Sequence, residues 1–281
     1  MTRSLLGFAA VTVLLFVGAT TAMAQDMETI GIAEDWQWGF QGPNSPIMDD
    51  IFWFYDIVLL PMMLIISAFV LALMLYIFAR FKRGSNPEPS RNTHNTLLEV
   101  IWTGVPILIL VGIAIPSLRL LYFEETIPDA EMTIKATGHQ WYWSYEYPDH
   151  GGIEFDSLIV DDADLEEGQP RLLTTDTQVV LPINTVVRFQ VTSDDVIHAW
   201  AMPAAGVKMD AVPGRLNEFW MEIDTAGIYY GQCSELCGQL HGFMPIMVVA
   251  MEPADFNAWV ATEQAALGIT PEVELAEATR D

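Results

Sequence analysis

Between Ile57 and Phe78 the chain runs 22 residues without a charge, and a second apolar stretch extends from about Leu97 to Tyr122. No other feature limits the fold as strongly. A helix of about 20 apolar residues crosses the hydrocarbon of a bilayer, where a helix satisfies its own backbone polar groups. Both stretches are therefore expected to span a membrane. Phe52-Trp53-Phe54-Tyr55 precede the first, and Trp102 and Tyr122 lie near the ends of the second. Such aromatics suit the membrane–water interface. The polar loop between the spans carries Arg80, Lys82, Arg83 and Arg91. A positive loop faces the cytoplasm, so both flanking regions are expected on the opposite side of the membrane.

Residues 1–24 agree with that topology. Arg3, the apolar stretch from Leu5 to Val17 and the small-residue site Ala22-Met23-Ala24 read as a signal peptide, leaving a mature chain that starts at Gln25. As a third anchor the stretch would be short for a span. The expected organisation is a signal peptide at 1–24, an extracytoplasmic segment at 25–50, a two-helix transmembrane hairpin at 51–123, a soluble domain at 124–262 and an acidic tail at 263–281.

Charge divides the chain in the same place. The formal net charge is -25, and from Glu124 onward there are 28 Asp or Glu against 6 Lys or Arg. A domain this acidic repels nucleic-acid phosphates. It suits a basic protein partner whose approach it can steer, although an acidic surface also serves solubility alone. After Pro128 short β-rich segments replace the long apolar runs. Strands are predicted at Met132–Thr137, His139–Tyr147, Gln178–Leu181, Thr185–Thr192, Asn217–Ile223, Gly227–Gln232 and Pro245–Met251, with a helix over Asp255–Leu267. Many short strands with turn signals between them suggest a β-sandwich or barrel.

The cysteines are Cys233 and Cys237, in the run from Cys233 to Met244 that also holds Glu235 and His241. A disulfide would leave those neighbours unexplained. Thiolate, thiolate, imidazole and thioether form a soft set suited to copper, and His198 offers a second imidazole from a distant segment. Two thiolates can bridge two metals, leaving one imidazole for each. Zinc would leave Met244 idle, and a mononuclear blue-copper site would make one cysteine superfluous.

The motifs Gly138 to Tyr147, Asp195 to Pro203, Asp210 to Arg215 and Tyr230 to Pro245, together with the two spans, resemble subunit II of the aa3-type cytochrome c oxidases. The resemblance covers about residues 45 to 262 and implies a cupredoxin-like Greek-key domain behind the transmembrane hairpin. It implies a binuclear CuA centre in which Cys233 and Cys237 bridge two copper ions, each bound by one of His198 and His241. Met244 and the Glu235 carbonyl would be weak axial ligands, and the Glu235 side chain would reach a magnesium ion shared with subunit I. Trp141 would be where an electron arrives from cytochrome c, with Glu146, Asp156 and Asp195 helping to dock that donor. Electrons would pass to haem a and then to the haem a3–CuB site of subunit I, coupled to proton pumping, with subunit III and membrane lipid as further partners.

Glu99, just inside the second span, is a costly place for a carboxylate and a functional candidate by position. The resemblance makes it the entrance of a proton pathway. Met202, Met209 and Met221 are read as packing residues, and His94, His139 and His150 as non-ligands. No Cys-x-x-Cys-His motif follows the copper segment, so no fused cytochrome c is expected. The competing readings are a copper carrier or assembly protein, which needs neither the Trp141 segment nor Glu99, and the CuA subunit of another respiratory reductase.

Overall fold

The computed structural model describes residues 27–269 apart from 86, 87 and 89. The expected signal peptide and most of the expected acidic tail lie outside the described residues. The chain divides into two compact units, one of them Asp49–Thr126 and the other the segments on either side.

The first unit is helical. Helix α1 (Pro46–Trp53) leads through a π-helical turn (Phe54–Leu59) into α2 (Leu60–Arg80), 35 residues without a break. Pro61 explains the wide turn: it has no N–H to donate, and its ring would collide with the carbonyl one ordinary turn back. A π turn lets the helix continue, and the Leu60 N–H accordingly bonds to the Tyr55 carbonyl. Helix α3 (Thr96–Glu125) has 30 residues. Asn95 caps it, its side chain accepting from the Leu98 N–H at 3.2 Å. No residue of α2 or α3 is buried, and large apolar side chains such as Leu64, Phe69, Phe78, Leu108 and Ile115 point outward. A helix apolar on every side needs lipid or another protein around it.

The second unit is all-β apart from a terminal helix. One sheet has the order β1-β10-β11-β5, built from Thr29–Gly31, Gly227–Gln232, Pro245–Met251 and Val179–Pro182. The other has the order β4-β3-β2-β6-β9, from Ile153–Ser157, Tyr142–Tyr147, Met132–His139, Val187–Ser193 and Asn217–Met221. A hairpin of β7 (His198–Met202) and β8 (Val207–Ala211) completes the set. Strands β2 and β6 alternate buried and half-buried residues, so Ile134, Ala136, Phe189 and Val191 all enter the core. Phe189 stacks on Phe219 and meets Trp200 at 4.9 Å. The Tyr147 hydroxyl donates to the Val180 carbonyl and accepts from the Val180 N–H, both at 2.9 Å, tying the two sheets together.

The expected two-helix and all-β cupredoxin-like architecture is thus present. The strand expected over His139–Tyr147 is instead the second half of a hairpin, closed by the His139↔Tyr142 pair around Gln140 and Trp141. The short strands β1, β4, β7 and β8 were not among the predicted strands. The terminal helix α4 runs from Pro253 to Leu267 and buries Phe256, Trp259 and Val260.

Candidate metal centre

Strands β10 and β11 pair antiparallel down to Gln232↔Pro245, so residues 233–244 form one loop pinned at both ends by the ladder. Five of the six expected ligand positions fall in it. The sixth, His198, opens β7 and is completely buried. Gly138 makes room for its ring, because a Cβ there would lie 2.8 Å from His198 Cδ2. Trp143 packs edge-on against the same ring at 5.9 Å.

The two sulfurs lie 3.9 Å apart, far beyond a disulfide bond, and both cysteines are free and buried. Each sulfur has its own set of further donors. Cys233 Sγ faces His198 Nδ1 at 3.8 Å and the Glu235 carbonyl at 3.4 Å. Cys237 Sγ faces His241 Nδ1 and Met244 Sδ, each at 3.5 Å. The donor atoms of His198, Cys233 and Cys237 lie within 4.8 Å of one another. Soft sulfur donors with imidazole nitrogens turned toward them fit copper. The Glu235 side chain is at the surface.

Electrostatics separates the two thiols. Burial pushes Cys233 up, but hydrogen bonding to His198, to the Ala199 and Glu235 backbone and to His241 outweighs it and brings the thiol down to about 7. Cys237 is pushed up to about 12, first by burial and then by the charge on Cys233. Without metal the pair as a whole therefore retains a proton that metal binding must displace.

Asp195 has an inward task that its sequence position does not reveal. Its Oδ1 lies 2.9 Å from His198 Nε2, on the far side of the ring from the sulfurs. Its Oδ2 accepts from the Gln140 N–H at 2.7 Å. Burial raises this carboxyl, but the bonds from His198, Val196 and Gln140 outweigh it and hold the group below the usual carboxylate range. A carboxylate on the outer nitrogen fixes the orientation of a ligating imidazole. Gln140 also reaches the cysteine loop, its Nε2 donating to the Cys237 carbonyl at 2.8 Å.

Trp141 is half-exposed and packs against that loop. A Cβ on Gly238 would lie 3.0 Å from Trp141 Cζ2, and Gly238 adopts a φ of +131°. Both facts require glycine there. Tyr142, Ser144 and Glu146 on β3 share an outward face with Glu154 and Asp156 on β4. Asp156 is exposed, whereas Glu146 pairs with Lys135 at 3.0 Å. Glu99 lies in the helical unit, in the first turn of α3, where its carboxylate meets His94 Nδ1 at 2.9 Å. The other nitrogen of His94 lies 2.9 Å from the Thr96 hydroxyl.

The sequence reading missed Gly138, Gln140 and Asp195 as supports of the centre. The first two belong to the Gly138–Tyr147 motif, whose closeness to the cysteine loop only the fold reveals.

The family model for cytochrome C oxidase subunit II, periplasmic domain, matches residues 132–251, and that for the transmembrane domain of the same subunit matches residues 33–120. A probable cytochrome c oxidase subunit 2 of Rickettsia bellii is 50% identical over 81% of this chain and 84% of its own length. Cytochrome c oxidase subunit 2 of Oenothera berteroana is 47% identical over 82% of this chain and 91% of its own. Among solved structures, the periplasmic domain of subunit II of cytochrome oxidase of Bradyrhizobium japonicum is 55% identical, with a TM-score of 0.47, covering 50% of this chain and 99% of that one.

Proposed function

This chain belongs to the cytochrome c oxidase subunit II family, and from that premise we propose that it is the subunit through which electrons from cytochrome c enter a haem–copper terminal oxidase. One observation carries this reading: two free sulfurs 3.9 Å apart, each faced by one imidazole Nδ1. Cys233 and Cys237 would bridge two copper ions, His198 and His241 would each hold one, and Met244 and the Glu235 carbonyl would cap them. Copper held there supplies a centre that takes up and releases single electrons with little change of geometry.

The protein's own residues do the rest. Strands β10 and β11 hold the loop rigid, and Asp195 keeps His198 aimed at Cys233. The Trp141 ring touches the backbone of the cysteine loop, giving an arriving electron a short path from the surface to Cys237. The acids around it, among them Asp156, would attract a basic cytochrome c. The Glu235 carboxylate would meet a magnesium ion shared with subunit I. Glu99, with its partner His94, would collect protons at the cytoplasmic end of α3. In this arrangement the membrane is a bacterial inner membrane, the copper domain is periplasmic, and oxygen is reduced in subunit I, with subunit III completing the complex.

Copper content and electron paramagnetic resonance of the full chain, purified in detergent, test the centre. We expect two coppers per chain and the signal of one unpaired electron shared equally between them. One copper per chain, or a signal localised on a single nucleus, overturns the reading.

A further inference from the structure

Within the helical unit, a cavity of about 430 Å³ opens beside the ends of α1 and α3, lined by Asp50, Trp53 and Phe54 from one strand of chain and Ile115, Arg119 and Leu120 from the other. Arg119 is the one basic residue of α3 and lies six residues before its end at Glu125. At about 1.5 Å per residue that is roughly 9 Å inside the helix terminus, the depth at which hydrocarbon gives way to headgroups in a span of this length. Asp50 is level with it at the start of the other span. Among the described residues no ion pair joins Arg119 to a carboxylate, although a cation at this depth needs a partner.

The lining therefore presents a cation and an anion in one cavity, with an aromatic wall on one side and an apolar floor on the other. The wall suits the interface, because Trp53 is an amphipathic ring at a span end. The floor of Ile115 and Leu120 continues along a helix face that is apolar throughout. Phe54 starts the π-helical turn, which widens the backbone at the cavity.

We infer that this cavity binds the headgroup of a zwitterionic aminophospholipid, with its phosphate on Arg119 and its ammonium on Asp50. Arginine pairs with phosphate through a planar fork of donors, and the ammonium complements the Asp50 carboxylate, which forms no salt bridge among the described residues. One acyl chain leaves along Ile115. A solute carrying phosphate alone would satisfy Arg119 but leave Asp50 and the apolar floor unused.

The test uses the full chain in its oxidase complex, reconstituted into nanodiscs with a trace of photoreactive phosphatidylethanolamine. Cross-links should map to the peptides around Asp50 to Phe54 and Ile115 to Leu120. Arg119→Gln should cut this labelling about tenfold, the scale of one lost charge-assisted hydrogen bond. Arg119→Lys should keep most of it. Asp50→Asn should keep labelling but abolish the preference for ethanolamine over choline headgroups. An intact copper signal in each variant verifies assembly. Equal labelling of Arg119→Gln and the parent chain overturns the inference. So does competition by millimolar inorganic phosphate, which would make the ligand a soluble anion. Labelling that appears only after other subunits are stripped away also overturns it, since a protein neighbour would then fill the cavity.

Discussion

At the scale of single residues, the centre depends on two close approaches that tolerate no added atoms. Gly138→Ala would place a methyl 2.8 Å from the ring of His198, which is fully buried and cannot retreat. We expect copper affinity to fall by about 10–100-fold, as when other supports of a metal ligand are disturbed, and competitive chelator titration measures it. Trp141→Gln removes the ring that touches the cysteine loop without altering any donor. Electron entry from cytochrome c should slow by at least about tenfold, equivalent to about 1.4 kcal/mol in the barrier, with an unchanged copper spectrum under stopped flow. Loss of copper from this variant would make Trp141 a structural residue instead. The candidate ligands stood out in the sequence because thiols and imidazoles are scarce in this chain and five of the six expected ligand positions share one loop. Their supports were not. Gln140 reaches Cys237 across 97 positions, and the Asp195 carboxylate reads as a surface acid until its partners are seen.

At the scale of elements, legibility follows periodicity. Strands β2 and β6 alternate, so the sequence exposes them, whereas β7 buries all five of its residues and β1 is only three residues long. Neither of the last two offers a pattern to read. Helix α4 was legible, but its docking is sensitive to pH in a way only packing reveals. The His150 ring meets Phe256 edge-on at 5.3 Å, and its backbone carbonyl accepts from Gln264 at 3.0 Å. Burial lowers the His150 pKa below its ordinary 6.5 despite the nearby charge of Asp149. A histidine depressed in the folded state contributes stability above its unfolded pKa and loses it as pH falls through the folded value. Glu263 on α4 is raised by burial, so its contribution has the opposite sign and weakens as pH rises above the ordinary carboxylate value. His150→Phe separates the two. Hydrogen exchange of the α4 amides, corrected for intrinsic rates, should accelerate between pH 7 and pH 5 in the parent chain, and less so in the variant. Equal pH dependence in both chains would remove His150 from this role.

At the scale of the whole molecule, charge is the property that reaches farthest from the surface. With 28 acids against 6 bases from Glu124 onward, oxidation of cytochrome c should weaken steeply as salt shortens the Debye length. Steady-state kinetics from about 10 to 150 mM ionic strength, where that length falls from roughly 30 to 8 Å, measures the slope. A flat response would leave the acidity to solubility alone. The division into an apolar and an acidic part was legible from composition, because a bilayer and water select opposite residues. Among the contacts that cross that division in sequence is a strand pairing: β1, made before the first span, pairs in parallel with β10, where Thr29 lies beside Ile228. Nearly 200 residues of synthesis separate the two partners. At about 5–20 residues per second the earlier strand waits some ~10–40 s for the later one. Throughout that interval β10, which leads directly into Cys233, has not yet been made. Birth order therefore acts as a clock: no metal can be held between His198 and Cys233 until β10 and the loop that follows it have emerged.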